Sequence, residues 1–165
     1  MYSKIKLFGH PIHAMLVGFP VTLYTAALVA YVIAQASGDA FWFRMGIAAN
    51  VAGVVMALVT AIPGFLDWLL GIPTASPAKG TGLAHMLLNV SALVIFAVNA
   101  VLHLGFWINP VARDATLAIV LGLVGIVLTL MAGWLGWTLV QHHHVGVELS
   151  PEQEQAERAQ LRRAA

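Results

Sequence analysis

Four stretches without a single Asp, Glu, Lys or Arg divide this chain: Leu7 to Gly38, Met45 to Leu66, Gly80 to Ala112 and Ala115 to Val147, of 32, 22, 33 and 33 residues. A helix crossing a hydrocarbon layer of about 30 Å needs about 20 mostly apolar residues, so each stretch can cross once. The apolarity is continuous rather than alternating, and within lipid a helix satisfies all its backbone groups inside one segment. The fold class expected is all-α: an integral-membrane antiparallel four-helix bundle, both termini on the same side, with a short soluble C-terminal helix. Residues 1–147 form the four-span domain and residues 148–165 an amphipathic cytoplasmic tail.

The remaining composition narrows the function classes. Of 165 residues only 8 are Lys or Arg and 7 Asp or Glu, and the net charge of +1 offers no basic field for nucleic acid. No cysteine is present, which excludes disulfides, thiolate metal sites, cysteine-ligated iron–sulfur clusters and c-type haem attachment within this chain. Lys4 and Lys6 ahead of an apolar run, with Ala34-Gln35-Ala36 behind it, mimic a signal peptide. The run from Ala14 to Ala34 is longer than an h-region of about 7–15 residues, so it reads as a retained helix.

The spans read as Pro11 to Gln35, Phe43 to Leu66, Leu83 to Trp107 and Ala115 to Gln141. Turn residues separate them: Ser37-Gly38-Asp39, then Gly71-Ile72-Pro73 to Ser76-Pro77, then Asn109-Pro110. Gly46, Gly53, Gly122, Gly125, Gly133 and Gly136 let helix backbones approach closely, and Pro20 should kink the first span. Lys4, Lys6, Lys79, Arg158, Arg162 and Arg163 share one side, against Arg44 and Arg113 on the other. That asymmetry predicts both termini on the cytoplasmic side. In the tail, Ser150, Pro151 and Gln153 read as a capping box, and Glu154 with Arg158 as an i,i+4 pair.

Threaded through this topology, six of the seven histidines fall at one membrane level. His10 and His13 open span one, Asp67 ends span two, His85 opens span three, and His142, His143 and His144 end span four. His103 lies 18 residues after His85, about 27 Å along a helix axis, at the opposite leaflet. The metal-ligand candidates are His10, His13, Asp67, His85 and His143. The four histidines of that set are also the candidates for cofactor binding, and Asn89, four residues after His85, is a candidate to orient its ring. Neutral imidazoles and one carboxylate suit zinc, copper, iron or nickel, or a bis-histidine haem b iron. Lys79 and the N-terminal lysines are placed to meet haem propionates.

The segment Gly9-His10-Pro11-Ile12-His13-Ala14-Met15-Leu16-Val17-Gly18-Phe19-Pro20 resembles the opening signature of the bacterial membrane family catalogued as domain of unknown function 2231. Further likeness runs through Ile62-Pro63-Gly64-Phe65-Leu66-Asp67, His85-Met86-Leu87-Leu88-Asn89, Gly133-Trp134-Leu135-Gly136 with Leu139-Val140, and Val145-Gly146-Val147. Ala14 stands where the family often has proline, and His144 where glycine is expected. The closing stretch aligns His143 with the family's histidine, which ranks it ahead of His142 and His144. The resemblance implies a four-span protein of a bacterial inner membrane and, because relatives are sometimes joined to Rieske or cytochrome modules, redox work.

Three functions follow as expectations, with no catalytic residue and no substrate identified. The first is a redox-linked membrane protein holding haem b or assisting electron transfer, with a redox partner. The second is a protein binding zinc, copper or iron without porphyrin. The third is an accessory subunit without cofactor, in a larger membrane complex or a homo-oligomer, whose histidines and Asp67 lock helix ends. In all three the surrounding partner is the lipid bilayer.

Overall fold

The computed structural model describes residues 3–108, 114–147 and 150–164, without the side chains of residues 157 and 160–164. The expected Asn109-Pro110 turn, Arg113, Glu148 and the side chains of Arg162 and Arg163 lie outside this set.

A minimal antiparallel hairpin opens the chain, β1 (Lys6–Leu7) paired with β2 (His10–Pro11). Phe8 and Gly9 turn it with positive φ angles of 50° and 85°, the conformation a two-residue hairpin loop demands. Among the described residues six helices follow: α1 (Ile12–Leu16), α2 (Gly18–Ser37), α3 (Ala40–Gly71), α4 (Pro77–His103), α5 (Thr116–Gln141) and α6 (Pro151–Ala164). A 3₁₀ turn, Leu104–Trp107, extends α4. The α1–α2 unit, α3, α4 and α5 are each long and apolar enough to cross a membrane.

The punctuation acts through local chemistry. Pro20 has no N–H for the carbonyl of Leu16, and the first span is interrupted at Val17, between α1 and α2. Gly38 closes α2 with φ 69°, and Asp39 caps α3 by accepting the Phe41 N–H at 2.8 Å. Pro63 does not stop α3, which runs five residues past the expected end because the apolar Trp68-Leu69-Leu70 continues its pattern. Its C-terminal carbonyls receive a cation instead: Lys79 Nζ donates to Trp68 O and, at 3.2 Å, to Ile72 O, and stands 4.1 Å from the Trp68 ring centroid. Lys79 is thereby committed to α3. Ahead of α5, Asp114 accepts the hydroxyl and the N–H of Thr116, and these bonds hold its carboxyl below the usual carboxylate range. In the tail the capping box forms, with Ser150 N–H donating to Gln153 Oε1 at 2.9 Å and Gln153 N–H to Ser150 Oγ at 3.3 Å. Glu154 and Arg158 meet at 3.5 Å.

Packing runs around a ring, with α2 against α3, α3 against α4, α4 against α5 and α5 against α2. The α2 and α4 helices therefore stand on a diagonal and their large side chains meet in the centre. Around the buried rings of Tyr24, Tyr31, Phe43 and Phe96 the interior is mostly small or polar, with Ala27, Ala30, Ala34, Ala92, Ala118 and Ala132 beside Asn50, Asn99 and His103, while most of the Val, Leu and Trp side chains cover the outside. That inversion of a soluble core is what lipid selects, since no hydrophobic gain separates helix from helix there.

Candidate functional site

The site is built from two histidines at the ends of helices that start on the same side of the bundle. His13 sits in α1 and its Nδ1 stands 3.0 Å from the carbonyl oxygen of Thr60 in α3. His85 sits in α4 and its Nδ1 stands 2.8 Å from the carbonyl oxygen of Ala132 in α5. A carbonyl only accepts, so Nδ1 carries the proton in both rings and Nε2 offers a lone pair when the ring is neutral. The two ring centroids are 6.3 Å apart and the planes cross at 88°.

Both contacts join residues 47 positions apart, and this equality extends through the bundle. Positions 13 and 85, 24 and 96, 53 and 125, 60 and 132, and 64 and 136 each differ by 72, and they hold His and His, Tyr and Phe, Gly and Gly, Thr and Ala, Gly and Gly. The structural roles repeat with the numbers. A Cβ on Gly64 would lie 2.6 Å from His13 Nδ1, and one on Gly136 3.1 Å from His85 Cε1. Deeper in, Gly53 lies against the Tyr24 ring and Gly125 against the Phe96 ring, and those rings stack with centroids 3.6 Å apart and planes within 5°. The α1–α3 and α4–α5 hairpins are thus two versions of one unit. His13 and His85 are equivalent residues facing each other across the centre.

The other expected ligands reach the same end of the bundle by different contacts. Asp67 accepts Ser3 Oγ at 2.7 Å, Lys4 N–H at 2.7 Å and Ile5 N–H at 3.0 Å, so its carboxylate anchors the N-terminal segment. His10 lies exposed in β2. His143 Nε2 is 3.3 Å from Thr81 Oγ1, and its ring packs on His142. Among the described residues no group of three or more His, Asp or Glu side chains stands at metal-binding distance. Asn89 does contact His85, donating from Nδ2 to the His85 carbonyl at 2.9 Å and facing Nε2 at 3.2 Å. It touches the nitrogen a metal would use, whereas Ala132 O orients the ring through Nδ1.

Sequence reasoning missed Gly64 and the repeat. The signal was there as matched His, aromatic and Gly positions at one offset, diluted in an apolar chain where Leu–Leu and Val–Val matches carry little information.

Asp67→Ala should release residues 3–5. Loss of one hydrogen bond to a charged group, about 1.5–3 kcal/mol, already raises the open population about tenfold or more. Trypsin cleavage after Lys4 and Lys6, timed against the parent protein, checks it.

The predicted membrane protein family DUF2231 matches residues 9–149. The chain belongs to this family. No curated protein and no solved structure matches it. This DUF2231 protein is an integral membrane protein, and its matched region spans both hairpins.

Proposed function

We propose that this protein holds one transition-metal centre between His13 and His85, for redox work at the end of the bundle where both termini lie. The observation that carries the reading is the matched pair, two imidazoles one repeat apart with centroids 6.3 Å apart, each with Nδ1 committed to a backbone carbonyl. Metal-bound histidines almost always donate the other N–H to a carbonyl or carboxylate, which fixes the tautomer and the ring. A metal bound about 2.0 Å from a ring nitrogen stands ~3.2 Å from that ring's centroid. The observed separation is about twice that reach, which suits one metal between two rings. Two imidazoles without thiolate favour copper or iron when the work is redox. Binding at His85 Nε2 displaces Asn89 Nδ2, which keeps its bond to the His85 carbonyl.

A bis-histidine haem b is the second reading, favoured by the same separation and by the ligands' position on opposite helices of a bundle. The surplus of Lys on the terminal side supports an inner-membrane orientation with both termini in the cytoplasm.

The test is an absorption spectrum and elemental analysis of the purified protein from iron- and copper-replete cells. Stoichiometric copper or iron is expected, lost in His13→Ala and His85→Ala and kept in His10→Ala and His143→Ala. A Soret band assigns the iron to haem. Absence of stoichiometric metal, or retention in the double variant, overturns the proposal.

A further inference from the structure

The half of the bundle away from the histidine pair carries buried polar atoms that the protein itself does not satisfy. Asn50 is 0%, Asn99 1%, Tyr31 1% and Tyr24 3% exposed. Both asparagines spend Nδ2 on a backbone carbonyl, Asn50 on Phe96 O at 3.2 Å and Asn99 on Ala118 O at 3.0 Å. Their Oδ1 atoms and the hydroxyls of Tyr24 and Tyr31 are left without a partner among the described residues. The Tyr31 hydroxyl and the Asn50 side chain are neighbours. His103, 4% exposed, sits 6.2 Å from the Tyr31 ring and spends Nδ1 on Asn99 O at 2.8 Å.

The two asparagines break the repeat that pairs His13 with His85 and Tyr24 with Phe96. The residue equivalent to Asn50 is Gly122, and the residue equivalent to Asn99 is Ala27. Packing alone is served by the small residues in the matched positions, so the two asparagines add acceptors where the other hairpin does without them. Unsatisfied acceptors and hydroxyls within a membrane interior are costly, and an ordered water resolves such a site when two to four polar partners surround it.

We propose that Asn50, Asn99, Tyr24, Tyr31 and His103 enclose a cluster of internal water molecules in this half of the bundle. The water donates to the two Oδ1 atoms and exchanges hydrogen bonds with the two phenols. The stacked Tyr24 and Phe96 rings, flanked by Gly53 and Gly125, close this chamber toward His13 and His85. The polar interior thus stops at these rings and does not run on to the histidine pair. The inference stands on buried unpaired atoms and is independent of any metal at the histidine pair.

Radiolytic footprinting of the protein in phosphatidylcholine nanodiscs reads the water directly, because hydroxyl radicals form from water and oxygenate the rings beside it. Tyr24 and Tyr31 are expected to be labelled several-fold faster than the bilayer-facing Phe19, and Asn50→Leu with Asn99→Leu should bring Tyr31 down to the Phe19 rate. Labelling of both tyrosines no faster than Phe19 in the parent protein overturns the proposal. Tyr31→Phe supplies a second readout by the sign of its effect. In a wet chamber the variant loses a hydrogen bond and melts lower. In a dry one it sheds an unsatisfied hydroxyl and melts higher, which contradicts the cluster.

Discussion

Gly125→Ala should be among the most destabilising single-methyl changes in this protein, because its Cβ would stand 2.5 Å from Phe96 Cε2. The ring has nowhere to retreat. Phe96 is 1% exposed, and its other face lies against Tyr24 at 3.6 Å, which in turn lies on Gly53 with a Cβ distance of 2.7 Å. The four residues form a transverse sandwich, glycine, ring, ring, glycine, and a methyl at either end must move a helix. Overpacking of this kind costs about 1–3 kcal/mol, occasionally more, so the melting temperature in detergent should fall by several degrees. Gly53→Ala should act in the same direction. Phe96→Leu combined with Gly125→Ala should recover part of the loss, since the methyl then fills space the smaller side chain leaves. A thermodynamic cycle over the four proteins measures the coupling. Strict additivity would mean that the glycine and the ring are not in contact in the folded state.

The sandwich also marks where sequence reasoning ended. Spans were legible because charge is expensive at the bilayer centre, and Gly53 and Gly125 were legible as close-packing residues because lipid gives helices little other reason to associate. Their partners were not, since nothing local to Gly53 says which helix supplies a ring. The histidines divided similarly. Their common membrane level followed from topology alone, whereas the choice of His13 and His85 depended on which rings lean on Gly64 and Gly136. Asp67 reads from the sequence as one more acid at a helix end. Its three bonds go to residues 3–5, because the chain entering the β1–β2 hairpin brings free N–H groups there. Lys79, free by sequence to meet an anionic group, is drawn to the α3 carbonyls that the break at Ile72 leaves without intrahelical donors.

The repeat makes a graded glycine series the sharpest test of the paired-histidine centre. Gly64→Ala places a methyl 2.6 Å from His13 Nδ1, on the atom that bonds Thr60 O at 3.0 Å. The imidazole must leave its seat, and both tether and ring position are lost. Removing the groups that orient a metal-bound histidine costs on the order of 10–100-fold in affinity, and displacing the ring itself should reach the upper end. Gly136→Ala meets His85 Cε1 at 3.1 Å, a contact that a shift of a few tenths of an ångström relieves, so its loss should be smaller. Gly133→Ala meets nothing within 4 Å and should bind as the parent does. Competition with a chromophoric chelator, using copper as the probe, gives the three affinities. The order Gly64→Ala weakest, Gly136→Ala intermediate, Gly133→Ala unchanged follows from the seat of each ring. Equal affinities across the series would show that the metal does not depend on where His13 and His85 stand.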